Sequence, residues 1–332
     1  MKILHLRSER SRMPVSGVFI DRVHALGDFD DIPFDPAMPE DALIDLIGQY
    51  DALLTTWNNC PIPPALAKRP GRLGYICNLS GSLNEWIPKE IPESNIKVTN
   101  WGDAPAFGVA EGAMALLFAV MKDIPTHVLN VRADKWGARE CAGGTLYGMR
   151  VGIYGMGVIG RKFVEMLAPF GTDMLVFDPY VKDLPAGCAR AESLEELFSF
   201  ADAIVVHAGR SEETIGSITA ELLAMLPDNA IIINTARGEL FDQDALFAEL
   251  STGRLRAGLD VLSITDGIAK GHPLRQMPNC IFTAHHIGGG SWPKHGDRME
   301  RMYEIGLENL TRYQNGEPLH FLMDPDRYAR ST

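Results

Sequence analysis

A glycine-rich turn is the first stretch whose residue types and spacing could do chemistry. It reads Gly155-Met156-Gly157-Val158-Ile159-Gly160, follows the apolar run Val151–Tyr154 and opens the predicted helix Val158–Phe170. A strand, such a turn and a helix together bind a dinucleotide pyrophosphate, because backbone amides and the positive end of the helix dipole face it. The first glycine permits the tight turn, the second admits the phosphates, and the third lets the helix pack close to the strand. The stretch therefore predicts a dinucleotide site.

An acidic residue at a matching distance supports this prediction. Asp178 ends the next predicted strand, Met174–Phe177, 18 positions after Gly160. A carboxylate there accepts hydrogen bonds from the adenosine ribose and repels a 2′-phosphate. Neither arginine nor lysine follows directly, since the next residues are Pro179-Tyr180-Val181. We therefore predict NAD, rather than NADP, as the cofactor.

Alternating strands and helices must position these residues. After the glycine turn, short apolar runs predict strands at Met174–Phe177, Ala203–Val206, Ala230–Ile233, Ala257–Leu259 and Cys280–Thr283. Helical patterns lie between them, beginning at Ser193 (where Ser-x-x-Glu forms a capping box), Ala220 and Gln243. Strands that are apolar throughout are buried on both faces, which indicates a parallel sheet with helices on either side.

The flanking segments add further elements. The first 100 residues predict strands at Lys2–Leu6 and Ala52–Thr55, a helix at Glu40–Ile47 and a turn-rich connection at Ile32–Pro39. Phe107–Met121 predicts a long buried helix, and Met299–Tyr313 an amphipathic one. We predict that Pro125 and the polar stretch Arg132–Glu140 form a connection between domains.

Composition excludes several classes of protein. The 332 residues carry a net charge of −12, which argues against nucleic acid or an anionic membrane surface as the main partner. No apolar run is long enough to span a bilayer. The five cysteines are scattered without a C-x-x-C pair, so we expect no metal site, no disulfide framework and a reducing compartment, the cytoplasm.

Three further stretches carry a resemblance to a known family. They are Asn234-Thr-Ala-Arg237-Gly238, Ala257-Gly-Leu-Asp260-Val261, and Pro278-Asn279 followed by Thr283-Ala-His285-His286-Ile-Gly-Gly. With the glycine turn, they have the order and approximate spacing of the D-isomer specific 2-hydroxyacid dehydrogenases, which include glyoxylate/hydroxypyruvate reductases and phosphoglycerate dehydrogenases. The chain resembles this family well from about Phe107 to Gly290.

The resemblance implies a fold of two α/β domains. Both would be doubly wound around parallel sheets, Rossmann-like and flavodoxin-like, with a cleft between them. The NAD-binding domain would span 104–292, and the substrate-binding domain would combine 1–103 with 293–332. The family also implies a homodimer formed largely through the NAD-binding domains.

The resemblance further implies roles for single residues. Arg237 would bind the substrate carboxylate and polarise the carbonyl through its planar guanidinium group. Asp260 would bind the nicotinamide amide. Other residues at the cofactor would be His207, Thr235 and Ala236.

A histidine would exchange a proton with the substrate oxygen, because its pKa lies near neutral pH. The family usually reads Thr-Pro-His-Ile-Gly, whereas this chain reads Thr-Ala-His285-His286-Ile-Gly. Counting from Asn279 selects His285, and counting back from Ile-Gly-Gly selects His286. We favour His285, because the strand after Asn279 constrains the register more firmly than a glycine loop does.

The family's glutamate, which holds that histidine, has no direct counterpart. It sits five residues after the aspartate of Asp-Val, where this chain has Thr265. The shared sequence His272-Pro273-Leu274 comes one residue later than expected, so a one-residue insertion would bring Asp266 to the glutamate position. We predict an Asp266–histidine dyad. The alternative is that Asp266, which precedes Gly267, is an ordinary turn residue.

The loop Ser80-Gly81-Ser82 is our candidate for binding the substrate carboxylate through backbone amides. It stands where the family has a glycine-rich loop, although the following residues match the family poorly. The chain is thus expected to transfer a hydride between NAD and a small 2-keto or 2-hydroxy acid. The alternative from another class is an NAD-responsive binding or regulatory module with little turnover, since fold does not fix function.

Overall fold

The computed structural model describes residues 1–7, 17–57, 60–81, 83, 86–137, 143–263, 267–289 and 300–330. The chain divides into two compact units. One unit combines Met1–Ala104 with Trp292–Thr332, and the other is Pro105–Ser291. Among the described residues, no helix has both the length and the apolar character needed to cross a membrane.

The first unit contains a five-stranded parallel sheet. Its strands are β1 (Lys2–Arg7), β2 (Asp28–Pro33), β3 (Ala52–Thr55), β4 (Tyr75–Asn78) and β5 (Lys97–Thr99). Their order in the sheet is β2-β1-β3-β4-β5. This is the flavodoxin-like order, in which the chain first moves to one side of β1 and then continues on the other.

The second unit contains a seven-stranded parallel sheet. Its strands are β6 (Arg150–Tyr154), β7 (Asp173–Phe177), β8 (Cys188–Arg190), β9 (Ala203–Val206), β10 (Ile231–Asn234), β11 (Arg256–Leu259) and β12 (Cys280–Phe282). The order β12-β11-β10-β9-β6-β7-β8 is that of a Rossmann sheet with one added strand. The predicted fold class is confirmed.

Helices connect many of the strands. They are α1 (Gly17–His24), α2 (Glu40–Ile47), α3 (Ala106–Met121), α4 (Ile124–Arg132), α5 (Val158–Leu167), α6 (Leu194–Phe200), α7 (Ala220–Met225), α8 (Gln243–Thr252), α9 (Arg301–Asn315) and α10 (Pro325–Arg330). The predicted capping box begins α6, where the Ser193 hydroxyl accepts a hydrogen bond from the Glu196 amide at 3.2 Å.

Two hydrophobic cores hold the second sheet in place, one on each face. Every residue of β9 and β10 is buried, which explains why these strands are continuous runs of apolar residues. Helix α3 packs closely on the sheet: a Cβ at Gly258 in β11 would lie 2.9 Å from the Leu116 Cβ. The cores therefore fix the strand ends from which the candidate site is built.

Three sequence predictions need correction. Strand β2 (Asp28–Pro33) includes Ile32 and Pro33, which the sequence assigned to the connection Ile32–Pro39. This strand lies at the sheet edge, and only Phe29 is buried, so its acidic pattern concealed it. Pro125 does not mark a connection between domains but stands in the first turn of α4, where its missing N–H costs nothing. The helix predicted to reach Phe170 ends at Leu167 and continues as a 3₁₀ turn.

Candidate active site

The described candidate residues of the second unit all follow the carboxyl ends of strands in its sheet. Because the strands are parallel, these ends all lie at one edge of the sheet. Across β12, β11, β10, β9, β6 and β7, these ends carry the His285 loop, Asp260, Arg237, His207, the glycine turn and Asp178. The strand order reverses between β9 and β6, and ligands of open α/β sheets bind outside such a reversal.

The glycine turn has the geometry that its sequence predicts. Gly155 has a φ of +96°, and a Cβ there would lie 2.6 Å from the Ala208 Cα. A Cβ at Gly160 would overlap the Gly155 carbonyl oxygen, so α5 packs directly on the turn. A Cβ at Gly157 would meet no atom within 4 Å. The first and third glycines are thus required by the fold itself, whereas the second leaves open space above the N-terminus of α5.

The Asp178 carboxylate is attached to this turn. One oxygen accepts a hydrogen bond from the Met156 amide at 2.7 Å, and the other accepts from the amides of Tyr180 and Val181 at 2.9 and 3.1 Å. The Arg190 guanidinium donates to the carbonyl of Asp178 at 3.0 Å. The carboxylate therefore stands fixed beside the glycine turn, where the sequence predicts contact with a ribose.

The turn after β10 is held by a buried asparagine. The Asn234 side chain accepts from the Ala236 amide at 3.0 Å and donates to the Arg237 carbonyl at 2.9 Å. Arg237 is half-buried, and its guanidinium donates to the Ala236 carbonyl at 2.7 Å. A Cβ at Gly238 would overlap the backbone of Leu262, so the turn lies directly against the segment that follows β11. Asn234 thus gives Arg237 a defined position. The sequence analysis did not predict this role of Asn234.

Asp260 joins the ends of three adjacent strands. Its amide donates to the Asn234 carbonyl at 2.9 Å, and its carbonyl accepts from the His285 amide at 2.6 Å. One carboxylate oxygen accepts from the Thr283 hydroxyl at 2.5 Å and from the amides of His286 and Ile287 at 3.0 and 3.1 Å. Because Asp260 is buried, these contacts fix the path of the histidine loop firmly.

The two histidines lie on the loop that Asp260 holds. Ala284 and His285 both have left-handed backbones, with φ values of 52° and 59°. Proline, which the family commonly has before its histidine, could not adopt the conformation of Ala284, because its ring fixes φ near −65°. Both histidine side chains are exposed. Two such residues in succession are uncommon, and backbone strain of this kind concentrates at functional sites.

His207 differs from these two histidines. Both of its ring nitrogens are buried and have no hydrogen-bond partner in the described part of the chain. The ring packs 5.1 Å from that of Phe163 on α5, measured between centroids. Burial lowers the pKa of His207 from 6.5 to about 3, so the imidazole is neutral at physiological pH. His207 is therefore an uncharged side chain that packs against α5, the helix that follows the glycine turn.

The candidate carboxylate loop belongs to the first unit and follows β4. The Ser80 hydroxyl is buried and donates to the Asn78 side chain at 3.2 Å, while the Asn78 amide group donates to the Ser80 carbonyl at 2.9 Å. The hydroxyl of Ser80 thus serves the loop's own structure. Ser82 of this loop and Asp266, the predicted partner of the histidine, lie outside the described residues.

Comparison with known proteins identifies the family. The sequence pattern described as "D-isomer specific 2-hydroxyacid dehydrogenase, NAD binding domain" matches residues 114–287, more than half of the chain. The chain belongs to this family. The match includes every candidate residue described above for the second unit. It therefore also establishes that the chain contains an NAD-binding domain of the 2-hydroxyacid dehydrogenase type.

Relatives of the chain differ in how much of their own length the chain matches. It is 31% identical to D-3-phosphoglycerate dehydrogenase of Mycobacterium bovis over 79% of this chain but only 50% of that protein. It is 30% identical to hydroxypyruvate reductase of Thermotoga maritima, over 82% of this chain and 86% of the relative. The chain thus spans about half the length of the phosphoglycerate dehydrogenases it matches.

A solved structure shows the same fold over nearly the whole chain. An acyclic imino acid reductase in complex with NADPH and D-Arg superposes with a TM-score of 0.78 and 24% sequence identity. The superposition covers 97% of this chain and 100% of the reductase. At this identity the likeness describes the fold alone.

The residues of the second unit fit a nicotinamide dinucleotide. The Thr235 hydroxyl is buried, and no described residue hydrogen-bonds to it. A buried polar group without a partner is rare in native proteins, so a ligand atom at that position would satisfy it. The open space at Gly157 and the carboxylate of Asp178 suit the pyrophosphate and the ribose of the same molecule.

Alanine substitutions in the glycine turn should separate folding from binding. Gly157→Ala should leave the Tm near that of the wild type, because its Cβ meets no protein atom, yet weaken NADH binding about tenfold or more by filling the space for the pyrophosphate. Gly155→Ala should lower the free energy of unfolding by more than about 1 kcal/mol, because alanine tolerates a positive φ poorly. Calorimetry would measure both effects. Wild-type NADH affinity in Gly157→Ala would refute the assignment of the turn.

The buried His207 should make stability depend on pH. Its pKa is lower in the folded chain than in the unfolded chain, so stability is complete above pH 6.5 and is lost as pH falls toward 3. Between pH 7.5 and pH 5 we expect a loss of about 2 kcal/mol from this group. Urea unfolding of wild type and His207→Phe would measure it. Equal pH dependence in the two proteins would show that His207 does not titrate as its burial requires.

Proposed function

We propose that this chain is an NAD-dependent oxidoreductase that moves a hydride between nicotinamide and C2 of a small 2-keto or 2-hydroxy acid. The observation that carries the proposal is the placement of Arg237, Asp260 and the His285 loop at the ends of three adjacent strands. Asp178 lies on the other side of the glycine turn. A dinucleotide with its adenosine at Asp178 would therefore direct its nicotinamide toward the arginine and the histidines.

In this proposal the side chains supply binding and proton transfer. A bound reduced nicotinamide would supply the hydride that the carbonyl carbon accepts. Arg237 binds the substrate carboxylate and polarises the carbonyl through its planar fork of N–H donors. The His285 imidazolium donates a proton to the carbonyl oxygen, so that the 2-keto acid becomes a 2-hydroxy acid and the imidazole becomes neutral. Oxidation reverses both transfers.

Two further roles complete the proposed machinery. Asp266 would take the place of the family's glutamate and hold the catalytic histidine in its charged form. A carboxylate beside an imidazolium stabilises the positive charge. The loop Ser80-Gly81-Ser82 would offer backbone amides to the substrate carboxylate. The inward-facing hydroxyl of Ser80 supports this backbone role, since the side chain is already engaged with Asn78.

Electrostatics at the ribose end favour NAD over NADP in our proposal. Asp178 would repel a 2′-phosphate, and the Tyr180 hydroxyl donates to a second carboxylate, that of Glu213. Arg190, a cation in the same region, directs its guanidinium to the backbone carbonyls of Asp178, Val181 and Lys182. The acyclic imino acid reductase was solved with NADPH, so this preference belongs to the local residues and not to the fold.

For the assembly we propose a cytoplasmic homodimer. Helix α4 contains no buried residue, yet it exposes Ile124, Leu129 and Val131 by 47%, 51% and 52%. An apolar helix face of this kind is typical of an interaction site. The four cysteines that the structure describes are free thiols, which suits a reducing compartment.

The decisive test is NADH oxidation with a panel of 2-keto acids that includes glyoxylate, hydroxypyruvate, pyruvate and bulkier 2-keto acids. Arg237→Ala should reduce kcat/KM by at least 100-fold, because a charge-assisted bidentate contact is lost at the reacting carbonyl, while NADH binding stays within about twofold. His285→Ala should abolish turnover, and His286→Ala should retain most of it. Absorbance at the NADH band and calorimetric titration give the two readouts.

The contrary outcomes are distinct. Loss of turnover in His286→Ala alone would move the acid/base role to His286. Tight NADH binding without oxidation by any acid of the panel would contradict the enzyme proposal and favour an NAD-responsive regulatory module.

A further inference from the structure

Two tryptophans flank the candidate carboxylate loop in the first unit. Trp57 stands two residues after β3, and Trp101 stands two residues after β5. Strand β4 lies between β3 and β5, and its end leads into Ser80 and Gly81. The indole rings meet edge to face, with centroids 5.0 Å apart and planes at 77°. This pair, the Trp57–Trp101 pair, therefore stands at the same sheet edge as the loop.

Backbone contacts hold Trp101 against the loop. Its amide donates to the Ser80 carbonyl at 3.3 Å. A Cβ at Gly81 would lie 2.7 Å from the Trp101 indole, so glycine lets the ring approach the loop this closely. Such close contact fixes the distance between the ring and the loop's backbone.

The residues after Trp101 are anchored from the other side. The Gly102 amide donates to the Asn100 side chain at 3.1 Å, and the Phe321 ring fills the space that a Cβ at Gly102 would need. An isolated bridge joins Thr99 to Leu322. Trp101 therefore lies on a turn that is held in place on both sides. A side chain that recognises a ligand needs such support.

The chemistry that the pair presents is apolar. Both tryptophans are half-buried and pack on the apolar cluster beneath them, which leaves part of each ring accessible. Among the described polar residues nearby, the Thr55 hydroxyl is buried and donates to the Asn78 side chain at 2.8 Å. Arg301, a cation near this turn, lies 3.3 Å from Asp103 and 3.6 Å from Glu304, so its charge is countered. These features suit an uncharged substituent better than a phosphate.

We propose that the Trp57–Trp101 pair binds the group attached to C2 of the substrate and that it selects 2-keto acids with an aromatic or branched apolar side chain. The inference rests on the proposed function, because it places the substrate carboxylate at the Ser80–Gly81 backbone. A side chain that leaves C2 from that position toward Trp101, which lies against the loop, would contact the indoles. Aromatic side chains bury large apolar areas and dominate the energetics of such contacts.

The test compares kcat/KM for phenylpyruvate, 4-methyl-2-oxopentanoate, glyoxylate and 3-phosphohydroxypyruvate with NADH. Wild type should prefer the two apolar acids over glyoxylate by at least about tenfold, the range that side-chain contacts in an apolar pocket supply. Trp57→Ala should reduce that preference by about tenfold or more through a higher KM for the apolar acids. Trp57→Phe should keep most of it, because an aromatic face remains. NADH affinity and Tm confirm that each variant is folded.

Failure of the inference and failure of the proposed function give different results. Turnover of glyoxylate or the phosphorylated acid at rates equal to or above those of the apolar acids would overturn the inference and leave the proposed function standing. An unchanged preference in Trp57→Ala would also overturn it. Absence of turnover with all four acids would overturn both. The wild-type preference is measurable without any variant, so misfolding of Trp57→Ala leaves the test intact.

Discussion

The candidate site depends on the buried carboxylate of Asp260. Its side chain accepts hydrogen bonds from Thr283, His286 and Ile287, while its own backbone bonds to Asn234 and His285. One residue thus ties together the ends of β10, β11 and β12. Hydrogen bonds to a buried charged group are worth about 1.5–3 kcal/mol, and removing the acceptor leaves buried donors without partners. The strained path of the histidine loop follows from this arrangement.

The glycine turn imposes the second constraint. Gly155 and Gly160 are required because other backbone occupies the space of a Cβ, which keeps α5 on the sheet and its N-terminus at the reversal of strand order. Asp178 is bonded to the turn on one side, and the catalytic candidates lie on the other. The order of the strand ends across the sheet is the order that our proposal requires for the adenosine, the pyrophosphate and the nicotinamide of a bound dinucleotide. The segment that matches the D-isomer specific 2-hydroxyacid dehydrogenases contains all of these strand ends.

Sequence reasoning succeeded where local signals were strong. Fully buried strands such as β9 and β10 are unbroken apolar runs, and the glycine spacing carries its own geometry. It missed β2, because an edge strand with one buried residue has no apolar pattern. It also misread Pro125, whose effect depends on its place within a helix. Both errors have the same cause. Whether a segment forms an edge strand, and where a proline stands within a helix, depend on neighbouring elements and not on a local sequence pattern.

The candidate residues of the site could be chosen from the sequence, but their contacts could not. The motif of Arg237 and the histidine pair could be found by type and spacing. The support from Asn234 and the left-handed backbone of Ala284 depend on pairing between distant strands. The Trp57–Trp101 pair joins residues 44 positions apart, and no local pattern announces it. Contacts of this kind join distant parts of the chain, so no short stretch of sequence predicts them.

The most direct test of the account is amide hydrogen exchange of the segment 283–289 in wild type, Asp260→Ala and Asp260→Asn. If the carboxylate holds the histidine loop, Asp260→Ala should speed exchange of the His286 and Ile287 amides by roughly 10- to 100-fold. Asp260→Asn should have a smaller effect, because its side-chain oxygen still accepts hydrogen bonds. Exchange in Asp260→Ala as slow as in wild type would contradict the account, because the loop would then be held by something other than Asp260.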